Sequence, residues 1–219
     1  MSYLLRVALP DRPGALGAVA TAIGHIGGDI ESIVVVERTS EAAVDDILVH
    51  LPAGSLADTL LTAVASTGAT VESLRRWAGA IDLHRDMDLV EELAVAERAS
   101  VLMVLTEFVP DVLRSAWSLL IGKDGDTNGL IAGSTAAPEL EDVHVDVSWL
   151  PMGRARRIEP DEPWLPADLL RDDLQLAAAP VGGTPIALVV GRPGGPPFLN
   201  SELARLAHLC SLAAAIRGA

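Results

Sequence analysis

The chain has 219 residues, enough for one large domain or two modest ones, and carries 30 acidic against 16 basic side chains for a net charge of −14, with half its residues hydrophobic. A surface this negative repels phosphate backbones and anionic lipid, and Arg154, Arg156 and Arg157 are too few to reverse it, so neither nucleic acid nor a membrane is an expected partner. Every apolar run is broken before membrane-spanning length, the opening Met1 to Arg12 lacks the basic start of a signal peptide, and the lone Cys210 excludes an internal disulfide; a reducing cytoplasm is the expected compartment.

Tyr3 to Leu9 reads as a buried strand. After it comes Asp11-Arg12-Pro13-Gly14-Ala15-Leu16-Gly17, a turn leading into a helix expected from about Pro13. Proline suits a first helical position because the N–H it lacks would be unpaired there, and Asp11 is placed to cap the turn. Gly14 allows close approach to the backbone, and the free N–H groups of the first helical turn offer a place for a carboxylate. Taken alone, the same residues also read as a plain strand-to-helix turn. Leu16, Val19, Ala20, Ile23 and Ile26 recur at helical spacing until Gly27-Gly28. Ile30 to Arg38 and Val44 to Leu51 read as strands joined by a hairpin at Thr39-Ser40-Glu41. Ser55 and Asp58 suggest a capping box for a helix with Leu56, Leu60 and Val64, ended by Gly68, and Thr70 to Trp77 reads as a closing strand.

Strand, helix, strand, strand, helix, strand is the order of a split βαβ unit. That order, with the turn Asp11 to Leu16 as its most specific part, resembles the ACT domain over about residues 1–79. The resemblance implies a ferredoxin-like βαββαβ regulatory domain that pairs with a second copy and binds an amino acid where the copies meet. It places the ligand's carboxylate and backbone on Asp11, Pro13, Gly14, Ala15 and Leu16 of one copy, and a second contact on Gly28, Asp29 and Ile30 at the start of the second strand of another. The family commonly carries Gly-Val-Asn-Ile where this chain has Gly27-Gly28-Asp29-Ile30. Asp29, acceptor-only when ionised, either pairs with a ligand ammonium or caps the start of the strand.

From Asp86 to about Thr106 the pattern predicts a charged helix with Met87, Val90, Leu93, Ala94 and Val101 on one side, and Phe108 to Trp117 suggests a second helical piece. Ser118 to Gly122 and Leu130 to Gly133 flank Lys123 to Gly129, a run rich in Asp, Asn and Gly that reads as a hairpin. Asp124, Asp126 and Asn128 alternate like the start of a calcium loop, but Thr135 stands where the chelating Glu belongs. The stretch Ala136 to Asp173 shows no pattern that places strands. Leu176 to Pro180 and Thr184 to Gly191 form a hairpin pattern around Gly182-Gly183, and Asn200 is expected to cap a last helix bearing Leu203, Leu206, Cys210, Ala213 and Ile216. This order, with Pro180-Val181-Gly182-Gly183 and the Phe198 to Leu203 stretch, resembles the GAF domain over about residues 86–217, within a second region at 80–219 made of linker helix and GAF-like domain. The resemblance implies a sensor or dimerisation domain with a central antiparallel sheet. The motifs for bilin attachment and for cyclic nucleotides are absent from the sequence.

Cys210 lies on an apolar helical stripe and reads as core filling. His25, His50, His84, His144 and His208 are scattered with no metal-ligand spacing, and Asp45 and Asp46, as strand neighbours, point to opposite sides and cannot share a proton. Asp86/Asp88 and Asp172-Asp173 read as solvated acid runs, and Trp117, Trp149 and Trp164 as core anchors before cavity walls. The expected protein is therefore α+β and non-enzymatic, without cofactor or metal. It is expected to bind an amino acid as a homodimer and to signal to another protein. The alternatives are a scaffold with unoccupied pockets and an enzyme with its site in the second domain.

Overall fold

The computed structural model describes every residue except 41, 78–84, 125–126, 141–146, 167–168, 170–172 and 219. It is a mixed α+β protein whose described residues form two antiparallel sheets and five helices, in two compact units, Met1–Leu83 and His84–Ala219. The expected boundary at 79/80 falls outside the described residues. None of the helices is long and apolar enough to cross a membrane.

The first unit runs β1 (Ser2–Pro10), α1 (Ala15–His25), β2 (Asp29–Arg38), β3 (Ala42–His50), α2 (Ala57–Ala65) and β4 (Thr70–Arg76), with sheet order β2-β3-β1-β4. Strand alternation sends Tyr3, Leu5, Val7 and Leu9 of β1 into one core with Ile47 and Val49 of β3, Val19 and Ile23 of α1, and Leu60 and Val64 of α2. Each such fully buried aliphatic side chain contributes about 1.5–3 kcal/mol of transfer free energy. The even positions of β1 carry Arg6, whose Nε and Nη2 donate to Asp46 on β3 at 2.7 and 2.9 Å, with both side chains buried. α1 stops in a Schellman arrangement: Gly27 takes φ 74°, its N–H donates to the Gly24 carbonyl, and the Gly28 N–H donates to the Ile23 carbonyl.

Two expected caps are not made. α1 starts at Ala15 rather than Pro13, with Gly14, which has no side chain, as N-cap, and the Asp11 carboxylate is engaged by Arg38 instead of the helix. α2 starts at Ala57 behind an extended Leu56, likewise without a side-chain cap, so the Ser55–Asp58 box does not form.

The second unit runs α3 (Arg85–Val95), α4 (Val101–Val112), β5 (Trp117–Asp124), β6 (Thr127–Gly133), β7 (Arg156–Ile158), β8 (Leu174–Pro180), β9 (Ile186–Pro193) and α5 (Asn200–Gly218), with sheet order β6-β5-β9-β8-β7. One core joins Leu120, Ala179 and Leu188 of the sheet to Leu93, Leu105 and Leu206 of the three helices. Another joins Leu119, Leu176 and Val189 of the sheet to Leu140, Trp164 and Leu165 of the irregular middle.

The single helix expected over Asp86 to Thr106 is two, because the chain reverses at residues 96–100 to pack α3 on α4. The buried stripe of α3 is Leu89 and Leu93, leaving Met87 and Val90 exposed. Phe108 to Trp117 is not a separate helix: Phe108 lies within α4, and Trp117 opens β5. Pro110 inside α4 cannot donate to the Thr106 carbonyl, and the buried Ser118 hydroxyl donates there instead. β7 lies in the stretch where the sequence placed no strand, and is held by pairing to Ala177 and Ala178 of β8. Asn200 is the first residue of α5 and not its cap; the Glu202 side chain reaches back to the Leu199 N–H at 2.8 Å.

Candidate functional site

The connection between β1 and α1 is built by its own backbone. Pro10 is the last paired residue of β1. The Arg12 N–H donates to the Pro10 carbonyl at 2.8 Å and the Ala15 N–H to the Arg12 carbonyl at 3.3 Å. Gly14 then takes φ 89°, a left-handed conformation in which a Cβ costs energy. The Ala18 N–H donates back to the Gly14 carbonyl at 2.9 Å, whereas the Gly14, Leu16 and Gly17 N–H groups have no partner among the described residues. A Cβ at Gly14 would meet nothing within 4 Å, so the approach to these amides from that side is open.

Two depressions flank this turn. One, of about 280 Å³, is lined by Arg12, Pro13, Gly14, Ala15 and Ala18 together with Thr67 and Ala69. The other, of about 190 Å³, lies toward β2 and β3 and is lined by Leu9, Pro10, Asp11, Arg12, Ala15, Leu16, Val35, Arg38, Ala43 and Asp45. On its rim Arg38 donates to both oxygens of Asp11, Nε at 2.9 Å and Nη2 at 2.8 Å. The hydrogen bonds from Arg38 hold the Asp11 carboxyl below its ordinary pKa.

Asp45 lies on the strand face that Ile47 and Val49 share with the core, opposite Val7 on one side and Val35 on the other. It is 2% exposed, and its Oδ1 has no hydrogen-bond partner among the described residues. Burial first, and the neighbouring Asp46 charge second, push its pKa up. The two aspartates do point to opposite faces, Asp46 toward Arg6 and Asp45 toward the turn.

Of the residues expected at a site, the structure brings Asp11, Pro13, Gly14, Ala15 and Leu16 together. Gly28, Asp29 and Ile30 stand elsewhere: Asp29 pairs with His50, which pairs with Ser2, while the turn follows Pro10. The nine residues of β1 separate the two sets, about 27 Å of strand. One chain therefore does not join them. Asp29 is exposed, and a Cβ on Gly28 would sit 2.8 Å from Ile23 Cγ2, so Gly28 serves the α1–β2 junction.

In the second unit Asp124, the first of the calcium-like acids, accepts from Arg217 Nη2 at 2.9 and 2.7 Å, and Asp126 lies outside the described residues. Among the described residues no three His, Cys, Asp or Glu side chains converge. Arg156 pairs with Glu162 and Arg157 donates to the Phe198 carbonyl, so two of the three clustered arginines are engaged within their own unit. They line a depression of about 350 Å³ with Arg154, Asn200 and Leu203. Trp117 and Trp164 are buried, and Trp149 stacks on Trp164 at 4.2 Å between centroids. Burial pushes the Cys210 thiol up to about 12, as suits a side chain that fills core space. His25 and His208 are exposed, His50 lies beside the N-terminal amine, and His84, His144 and Asp172 lie outside the described residues.

Arg38 and Asp45 stand beside the turn although the sequence pattern assigns them only to strands. The signal for Asp45 was present: in Val44-Asp45-Asp46-Ile47 the two-residue alternation puts one carboxylate in line with Ile47 and Val49, where an apolar residue belongs.

No family model matches the chain, and no curated protein matches it. Among solved structures, a formyltetrahydrofolate deformylase from Pseudomonas putida KT2440 is 12% identical with a TM-score of 0.32, covering 44% of this chain and 39% of its own. An unknown protein from Galdieria sulphuraria is 14% identical with a TM-score of 0.31, covering 59% of this chain and 75% of its own. This chain thus spans about two fifths of the deformylase, and at these scores neither likeness carries an argument.

Proposed function

We propose that the chain is a non-enzymatic sensor whose first unit, an ACT-like βαββαβ domain, binds a small amino acid at the β1–α1 turn. A GAF-like second unit accompanies it. The observation that carries this reading is the open left-handed Gly14 with three unpartnered amides in and beside the first turn of α1. Such amides and the helix dipole favour a carboxylate. The strand order β2-β3-β1-β4 supports the ACT-like assignment, and helices on one side of a five-stranded antiparallel sheet support the GAF-like one. Ligand binding would favour one state by its differential affinity and pass that preference to a partner protein.

A second reading, an interaction scaffold, is favoured by Ile33, Val34 and Val35, exposed on the outer strand β2. A homodimer formed through this strand fits both readings. A thermal-shift screen against the common amino acids separates them: a ligand at a hundred times its Kd adds about 2.7 kcal/mol of stability. No shift with any amino acid leaves the scaffold, and turnover of a small molecule would replace both readings with an enzyme.

A further inference from the structure

We propose that Asp45 is the anionic anchor of an amine-binding pocket beside the turn, which takes the ammonium of a small aliphatic amino acid within a single chain. This rests on the reading that the turn amides take the ligand's carboxylate.

The pocket of about 190 Å³ has apolar walls from Leu9, Leu16, Val35 and Ala43; Arg12 joins Arg38 in its lining, and Asp45 is the one lining carboxylate with no ion pair to either. Asp11 and Arg38 on the rim neutralise each other, and Asp46 turns to the opposite face to meet Arg6. Asp45, 2% exposed and with Oδ1 unpartnered, lacks the cation that a buried carboxylate ordinarily has. A ligand ammonium supplies that charge and three N–H donors. The aliphatic walls suit a branched aliphatic side chain, and a second carboxylate on the ligand would meet Asp45 as a like charge. The anionic partner expected at Asp29 is thus supplied by β3 of the same chain.

The test is calorimetric titration with L-valine, with isobutylamine (valine without its carboxylate) and with isovalerate (valine without its amine), on the wild-type protein and on Asp45→Asn and Asp29→Asn. Wild-type protein is expected to bind L-valine tightest and isobutylamine measurably. Asp45→Asn, which is isosteric and is checked for folding by its melting curve, should weaken both by at least about tenfold, the worth of one charged hydrogen bond, while Asp29→Asn leaves both unchanged. Equal binding of L-valine by wild type and Asp45→Asn overturns the proposal. If isovalerate then binds as well as L-valine, the turn reading survives alone. Isobutylamine binding that Asp45→Asn abolishes, with L-valine no tighter than isobutylamine, keeps Asp45 as the anchor and removes the turn. Failure of all three ligands on the wild-type protein, a comparison that needs no variant, overturns both.

Discussion

Arg192 and Glu202 form a buried ion pair, Nη2 to Oε1 at 2.6 Å, that ties the end of β9 to the start of α5. The same Nη2 donates to the Leu113 carbonyl at 2.7 Å, Nη1 donates to the Pro196 carbonyl, and the guanidinium lies 4.0 Å from the Phe198 ring centroid. Removing one partner strands a charge that water cannot reach. Glu202→Ala should therefore cost about 3–5 kcal/mol, and Arg192→Met with Glu202→Leu should recover part of that loss. Urea denaturation of the three proteins checks both statements.

Asp45 makes stability fall as pH rises. Its folded pKa lies above the ordinary 3.8, so the folded state holds its proton more tightly than the unfolded chain does. The destabilisation is absent below the ordinary carboxylate value, grows as pH climbs from there through the raised folded value, and is complete above it. Asp45→Asn should be more stable than wild type at neutral pH by about 1 kcal/mol, the lower end of the range for a buried polar group left unpaired. The two melting temperatures should converge as the solution is acidified.

Glycines separate crowding from conformation. A Cβ on Gly191 would lie 2.2 Å from the Trp117 ring, whereas one on Gly14 would meet nothing within 4 Å. Gly191→Ala should cost about 1–3 kcal/mol through forced repacking of the indole and alter the near-ultraviolet circular dichroism. Gly14→Ala should cost about 1–2 kcal/mol from its left-handed backbone alone, leave that spectrum unchanged and weaken amino-acid binding.

The Cys210 thiol, buried and pushed up to about 12, presents no thiolate to a reagent at neutral pH. Its reaction with a disulfide reagent should be negligible in the native state, and its rate should follow the unfolded fraction as urea is raised.

Periodicity carried most of the architecture, because Leu16, Val19 and Ile23 on α1 and Leu206, Cys210 and Ala213 on α5 repeat at the helical interval and face their cores. It failed at α3, where Leu89 and Leu93 compete with Met87 and Val90 for the inner face and the packing of α3 on α4 decides. It failed again at β7, whose three residues are a strand only because β8 pairs with them. The turn at Gly14 was legible since Pro13 fixes its own φ and Gly14 permits the left-handed conformation that follows. The engagement of Asp11 by Arg38 is a contact between distant positions that no local rule contains.

Gly14 and Asp29 stand at opposite ends of one sheet, so a contact between them requires two chains. A two-fold axis that brings one chain's Asp29 to its neighbour's Gly14 brings the reverse pair together in the same act. Such an assembly would hold its Gly14–Asp29 contacts in pairs, whereas the Asp45 pocket is complete in each chain, so a mixed pair with one altered Gly14 would keep one turn intact.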